Sequence, residues 1–132
     1  MNNNDPLKNN VSPSVCLVVE DEPAILRLVK IALQDLGVDH ILPAPSAEAA
    51  LQLLEDSEHT PSVTITDIRL PGMGGVELTR RIKADTRFPG MPVLLMSAYG
   101  EPREHEGDAF LAKPFDVDEF AEFVSPYLVP SE

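Results

Sequence analysis

Basic residues are scarce in this chain, and cysteine scarcer still. Ten lysines and arginines face 22 aspartates and glutamates, a net charge of −12. Such an excess repels nucleic acid and anionic membrane surfaces at long range, so neither is an expected partner. A single cysteine, Cys16, excludes an internal disulfide, and its place in an apolar run reads as a core thiol. Apolar runs extend over only a few residues and the first residues are polar. Neither a transmembrane helix nor a secretory signal is expected, and the chain reads as cytoplasmic.

What is present suits one globular domain, with 43% apolar residues in a chain of 132. Residues 1–14 are rich in asparagine and nearly free of hydrophobes, so a disordered tail is expected there. The domain proper is expected over 15–128, with a short tail at 129–132. Val15 to Val19 is a continuous apolar run that opens onto Glu20-Asp21-Glu22-Pro23. It reads as a buried parallel strand, with Pro23 placed for a helix's first turn. Ile25, Leu28, Val29, Ala32 and Leu36 then mark one helical face closed by Gly37. His40 to Leu42 reads as a short strand ending at Pro43, and Ala47, Ala50, Leu51 and Leu54 mark a second helix. Val63-Thr64-Ile65-Thr66-Asp67 is a strand that breaks into a glycine loop, followed by a helix from about Gly75 to Ala84. Strands over Pro92–Met96 and Asp108–Ala112 and a last helix from about Val117 complete the chain. This alternation predicts a parallel sheet with helices on both faces.

Parallel strands present their C-terminal ends at one edge, so Glu20, Asp21, Asp67, Ser97 and Lys113 are expected to share a rim. Three carboxylates so close repel one another, and the cluster makes sense with a cation. All-oxygen ligands select a hard one such as Mg²⁺. Asp67, beside a divalent cation, an ammonium and a hydroxyl, is then placed to attack phosphorus and become an acyl phosphate.

Val18-Val19-Glu20-Asp21-Glu22-Pro23, Asp67-Ile68-Arg69-Leu70-Pro71-Gly72-Met73, Met96-Ser97-Ala98 and Ala112-Lys113-Pro114-Phe115 together resemble the response-regulator receiver domain of two-component signalling. The resemblance is to the CheY-like family and runs from residue 15 to about 128. It implies a flavodoxin-like three-layer sandwich with a five-stranded parallel sheet in the order 2-1-3-4-5. It implies a regulatory phosphoacceptor that is not an enzyme in its own right, although it assists its own phosphorylation and dephosphorylation. By the same resemblance Asp67 is the phosphoacceptor, and Glu20, Asp21, Asp67 and the Arg69 backbone carbonyl hold Mg²⁺. Ser97 bonds a phosphoryl oxygen, Lys113 pairs with the phosphate, and Lys113-Pro114 is cis. Ser97 and Phe110 form the conformational switch, although Phe110 reads equally as plain core. The phosphoryl donor is a phosphohistidine on a sensor histidine kinase or histidine phosphotransfer protein, and the signal leaves by contact with a downstream protein. Arg69 and Tyr99, two residues past Asp67 and Ser97, are large enough to shield the phosphoryl group from water.

Other readings remain in view. An aspartyl-nucleophile phosphatase expects a second aspartate where Arg69 stands, and a flavin protein expects a hydroxyl-rich loop where Glu20-Asp21-Glu22 stands. A receiver-shaped interaction module without phosphate turnover is the main alternative. Glu22 reads as a first-turn helix acid, and His40, His59 and His105 as surface residues. Gly74 stands where the family more often has a polar residue. The clearest departure is that only 15 residues separate Ser97 from Lys113, and they contain Gly100, Pro102 and Gly107 with no apolar stripe. The usual fourth helix is therefore expected to be short or absent. Without it the usual signalling surface is incomplete, and Phe123 and Tyr127 are expected to be exposed for the loop or a partner. Pro126 is expected to end the last helix near Ser125.

Overall fold

The computed structural model describes residues 14–56, 58 and 60–128, so the expected tails, apart from Ser14, and His59 lie outside the described residues. The strands are β1 (Val15–Val19), β2 (His40–Ala44), β3 (Val63–Asp67), β4 (Val93–Ser97) and β5 (Ala109–Ala112). The helices are α1 (Pro23–Asp35), α2 (Ala47–Asp56), α3 (Gly75–Ala84) and α4 (Val117–Leu128). All strand pairs are parallel, in the order β2-β1-β3-β4-β5. Every residue of β1, β3 and β4 is buried, which is why these stretches read as unbroken runs of β-formers.

The strand period of two divides the core between the two faces of the sheet. Cys16, Val18, Ile65, Leu94 and Met96 pack with Val29 and Leu33 of α1 and with Phe120 and Val124 of α4. Leu17, Val19, Val93 and Leu95 pack on the other side, with Ala50 and Leu54 of α2 and Leu78 and Ile82 of α3. Burial pushes the Cys16 thiol up to about 12, so it is an inert core residue as expected. Among the described residues no helix is long and apolar enough to cross a membrane.

Local features differ from the sequence reading. Leu33, not Leu36, completes the buried face of α1, because the helix ends at Asp35 and Leu36 is left partly exposed as its C-cap. Gly37 follows in the left-handed region at φ 90°. Strand β2 continues through Pro43 to Ala44, which an edge strand permits because a missing N–H there interrupts no inner ladder. Ser14 does not hang free: its backbone N–H and hydroxyl both donate to Asp39 Oδ2, at 2.9 and 3.2 Å. Helix α4 runs past Pro126 to Leu128. Proline forfeits only one N–H bond in this last turn, and the packing of Tyr127 and Leu128 on the core holds it. Phe123 and Tyr127 are accordingly half-buried and not exposed. The Phe123 ring lies 6.4 Å from that of Phe120, and the Tyr127 hydroxyl donates to the Asp108 carbonyl at 3.4 Å.

No helix forms between β4 and β5, in agreement with the sequence. The segment 98–108 folds back irregularly onto the sheet instead. A Cβ on Gly107 would stand 2.9 Å from Leu95 Cγ, so a larger residue there would force the Leu95 side chain to shift. His105 is not a free surface residue. Its Nδ1 accepts the Gly107 N–H at 3.1 Å and its Nε2 pairs with Glu101 Oε2 at 2.8 Å. Asp108 closes the segment by accepting from Lys83 Nζ at 2.6 Å and from the Val93 N–H at 2.8 Å.

Candidate functional site

The parallel register sets the ends of β1, β3 and β4 side by side, with Val19 opposite Thr66 and Asp67 opposite Met96. Glu20 follows β1 directly and is 1% exposed; Asp67 ends β3 and is 5% exposed. Lys113, the first residue after β5, crosses to both. Its Nζ lies 2.8 Å from Asp67 Oδ2, 3.0 Å from Glu20 Oε1 and 3.5 Å from Glu22 Oε1. The second Glu20 oxygen accepts the Glu22 N–H at 3.1 Å. The Lys113–Pro114 bond is cis.

Burial pushes the Glu20 carboxyl up to about 7. The Lys113 hydrogen bond pulls it back, and the Asp67 charge adds to the rise. Burial also works against the Lys113 ammonium, but its bonds to Asp67 and Glu20 outweigh that and leave it raised. The lysine therefore stays charged among its carboxylates.

The turn after β3 depends on Gly75. A Cβ there would lie 2.2 Å from the Asp67 carbonyl oxygen, and the Gly75 N–H donates to the Ile68 carbonyl at 2.9 Å. Glu48 of α2 holds the same loop by accepting the Met73 N–H at 3.0 Å. Gly74 is the N-cap of α3 and offers no side-chain cap.

Sequence-predicted residues divide into those gathered at the rim and those beside it. Carboxylate oxygens of Glu20, Glu22 and Asp67 lie within 4.8 Å of one another, a group able to hold a metal ion. Asp21 is exposed and outside that group, but it lines the same cavity of about 390 Å³ with Glu22, Asp67, Arg69, Tyr99 and Lys113. Glu22, which the sequence reading sets aside as a first-turn helix acid and not a ligand, lies within this group. It does precede the first turn of α1, yet its side chain makes no cap and turns toward Lys113. Its position two residues after Glu20 was the available signal. The donor set, hard oxygens around one ammonium, fits a hard divalent cation.

Ser97 ends β4 and is buried, and its hydroxyl accepts the Tyr99 N–H at 3.0 Å. Phe110 is half-buried against the core on the α2 and α3 side. Arg69 and Tyr99 meet at the mouth of the cavity, with the guanidinium carbon 4.4 Å from the ring centroid. Sequence reasoning placed each of them near the site, but nothing in the sequence paired them.

A rim of this kind, acids after β1, an aspartate ending β3, a hydroxyl ending β4 and a lysine after β5, defines a class of regulatory domain. The family model described as "Response regulator receiver domain" matches residues 16–125. The chain belongs to that family. It is similar to the response regulator Rre1 of Synechocystis, 34% identical over 85% of this chain and 50% of that protein. It is also similar to the polar-differentiation response regulator DivK of Brucella anthropi, 30% identical over 88% of this chain and 97% of that one. The chain thus spans half of the first relative and nearly all of the second. Among solved structures, the receiver domain of the hybrid histidine kinase CckA superposes with a TM-score of 0.73 at 32% identity, covering 88% of this chain and all of that one.

Proposed function

We propose that Asp67 is the phosphoacceptor of a phosphorelay, charged from a phosphohistidine on a sensor histidine kinase or histidine phosphotransfer protein in the cytoplasm. An oxygen of Asp67 attacks phosphorus, the new O–P bond forms as the P–N bond breaks, and the electron pair leaves on the imidazole nitrogen, which takes up a proton. The observation that carries this reading is the 2.8 Å contact between Lys113 Nζ and Asp67 Oδ2 on the wall of an open cavity. Lys113 orients the carboxylate beforehand and is in place to pair with the incoming phosphoryl oxygens. Glu20, Asp21, Asp67 and the Arg69 carbonyl would hold Mg²⁺, which when bound supplies neutralising charge for the oxygens being transferred. Ser97 supplies a hydroxyl donor for a phosphoryl oxygen, and Phe110, opposite Leu95 on the neighbouring strand, is the aromatic side chain that adjusts. The relayed signal then passes to a downstream protein by contact.

Intact mass after incubation with acetyl phosphate and Mg²⁺ tests this. One added phosphoryl group is expected, absent in Asp67→Asn and in EDTA. Labelling that persists in Asp67→Asn overturns the assignment, and no labelling of the parent favours an interaction module without turnover.

A further inference from the structure

Two cations line the cavity beside Asp67, and they are occupied very differently. Lys113 is shared among Asp67, Glu20 and Glu22. Arg69 stands two residues beyond Asp67 and, among the described residues, its guanidinium is in no ion pair. Its contact is the face of Tyr99, 4.4 Å from the ring centroid. Tyr99 is 73% exposed, so this stack sits at the cavity mouth and not in the core.

We propose that Arg69 is a second cationic ligand for the phosphoryl group on Asp67, held in reserve on Tyr99 until that group arrives. The inference rests on the reading of Asp67 given above. Phosphorylation exchanges the single negative charge of the carboxylate for a phosphoryl dianion, which adds one negative charge to an already acidic site. Lys113 is in place to pair with the phosphoryl group, but its one positive charge already serves Asp67, Glu20 and Glu22 and does not offset the added one. Arg69 can, because it gives up only a cation–π contact at an exposed site, a weaker bond than a charge-assisted pair with an anion. The planar guanidinium also matches two phosphoryl oxygens at once, which an ammonium does not.

The movement has a destination in the chain. The Tyr99 N–H is bonded to the Ser97 hydroxyl, and the Tyr99 ring carries Arg69. Tyr99 therefore joins the ends of β3 and β4 across the cavity and opens the segment 98–108, which replaces a helix. When Arg69 turns to the phosphoryl group, Tyr99 loses its stacking partner and the start of that segment is freed. Occupancy of Asp67 is in this way read out as the position of one exposed tyrosine.

The chain has no tryptophan and two tyrosines, so Tyr127→Phe leaves Tyr99 as the one reporter of ring environment. In that background, titration with beryllium fluoride and Mg²⁺, which mimic the phosphoryl group, is expected to change Tyr99 emission on binding. Arg69→Gln should bind the mimic about tenfold more weakly, the loss of one charge-assisted bond, and abolish the emission change. Arg69→Lys should recover part of the affinity because the charge returns, an effect that a merely structural arginine does not show. Mass measurement with acetyl phosphate separates the two readings. If the background protein gains no phosphoryl mass, the assignment of Asp67 fails and this proposal with it. If the mass appears, and Arg69→Gln binds beryllium fluoride as tightly as its parent with the same emission change, Arg69 is no ligand and the proposal alone is overturned.

Discussion

Lys113 and Asp67 touch at 2.8 Å across 46 residues of sequence, and the same ammonium reaches buried Glu20 at 3.0 Å. The lysine is thus a structural counter-ion before any phosphoryl group is present. Replacing it leaves Glu20 and Asp67 facing each other without compensation. Lys113→Met is expected to cost about 3 kcal/mol at pH 8, the lower end of what breaking a buried pair costs. The loss should be smaller at pH 5, where Glu20 takes up a proton and no longer needs a partner. Urea unfolding at the two pH values checks this, and equal losses would refute it.

Glu20 gives the metal-free protein a defined pH dependence. Its folded pKa, pushed up to about 7 by burial, lies above the ordinary value of 4.5, so the folded state binds the proton more tightly. This contribution to stability is fully present below about 4.5 and is lost as pH rises toward 7. Glu20→Gln should flatten the melting temperature across that window. An unchanged slope in the variant would place the titration elsewhere.

Mg²⁺ should act in the opposite direction, stabilising most where Glu20 is ionised. At about 100 times its dissociation constant a ligand adds roughly 2.7 kcal/mol. Asp21→Asn is expected to remove most of that gain, whereas Glu22→Gln, whose side chain is 63% exposed, should remove less. The larger loss in Glu22→Gln would show that the compact group of Glu20, Glu22 and Asp67 is itself the metal site. Melting temperature with and without Mg²⁺ decides between them.

Gly75→Ala should be among the most damaging small substitutions, because its Cβ would meet the Asp67 carbonyl at 2.2 Å. A loss of about 3 kcal/mol is expected, the upper end for overpacking, together with slower phosphorylation as the end of β3 shifts. Urea unfolding and the rate of mass gain with acetyl phosphate measure both.

His105 holds the irregular segment through the Gly107 N–H, so His105→Ala should loosen that segment alone. One lost hydrogen bond of about 1 kcal/mol corresponds to roughly fivefold faster exchange of the Gly107 amide. The amides of β1 and β3 should keep their protection. Faster exchange throughout the sheet would mean that the segment supports the whole fold.

The strands were legible in the sequence because β1, β3 and β4 are buried on both faces and so read as runs of apolar and β-branched residues, Thr64 and Thr66 of β3 among them. The site followed from them, since a parallel sheet sends the residues after each strand to one edge. What stayed hidden depends on tertiary neighbours. Leu33 and Leu36 both suit the α1 stripe, and only the end of the helix at Asp35 decides between them. Pro126 reads as a stop until the core contacts of Tyr127 and Leu128 are known. The hydrogen bonds of His105 and the stacking of Arg69 on Tyr99 involve a segment without periodicity, and no pattern announces them.

Cys16, the second residue of β1, is fully buried with its thiol pushed up to about 12, so at neutral pH it offers almost no thiolate to an electrophile. Native protein is in effect cysteine-free toward alkylating dyes and spin labels. A cysteine introduced on an exposed residue, such as Glu104 in the segment 98–108, can be tagged selectively without first removing the natural one. Distances from such a tag to a second site can then show whether the segment moves when acetyl phosphate and Mg²⁺ are added.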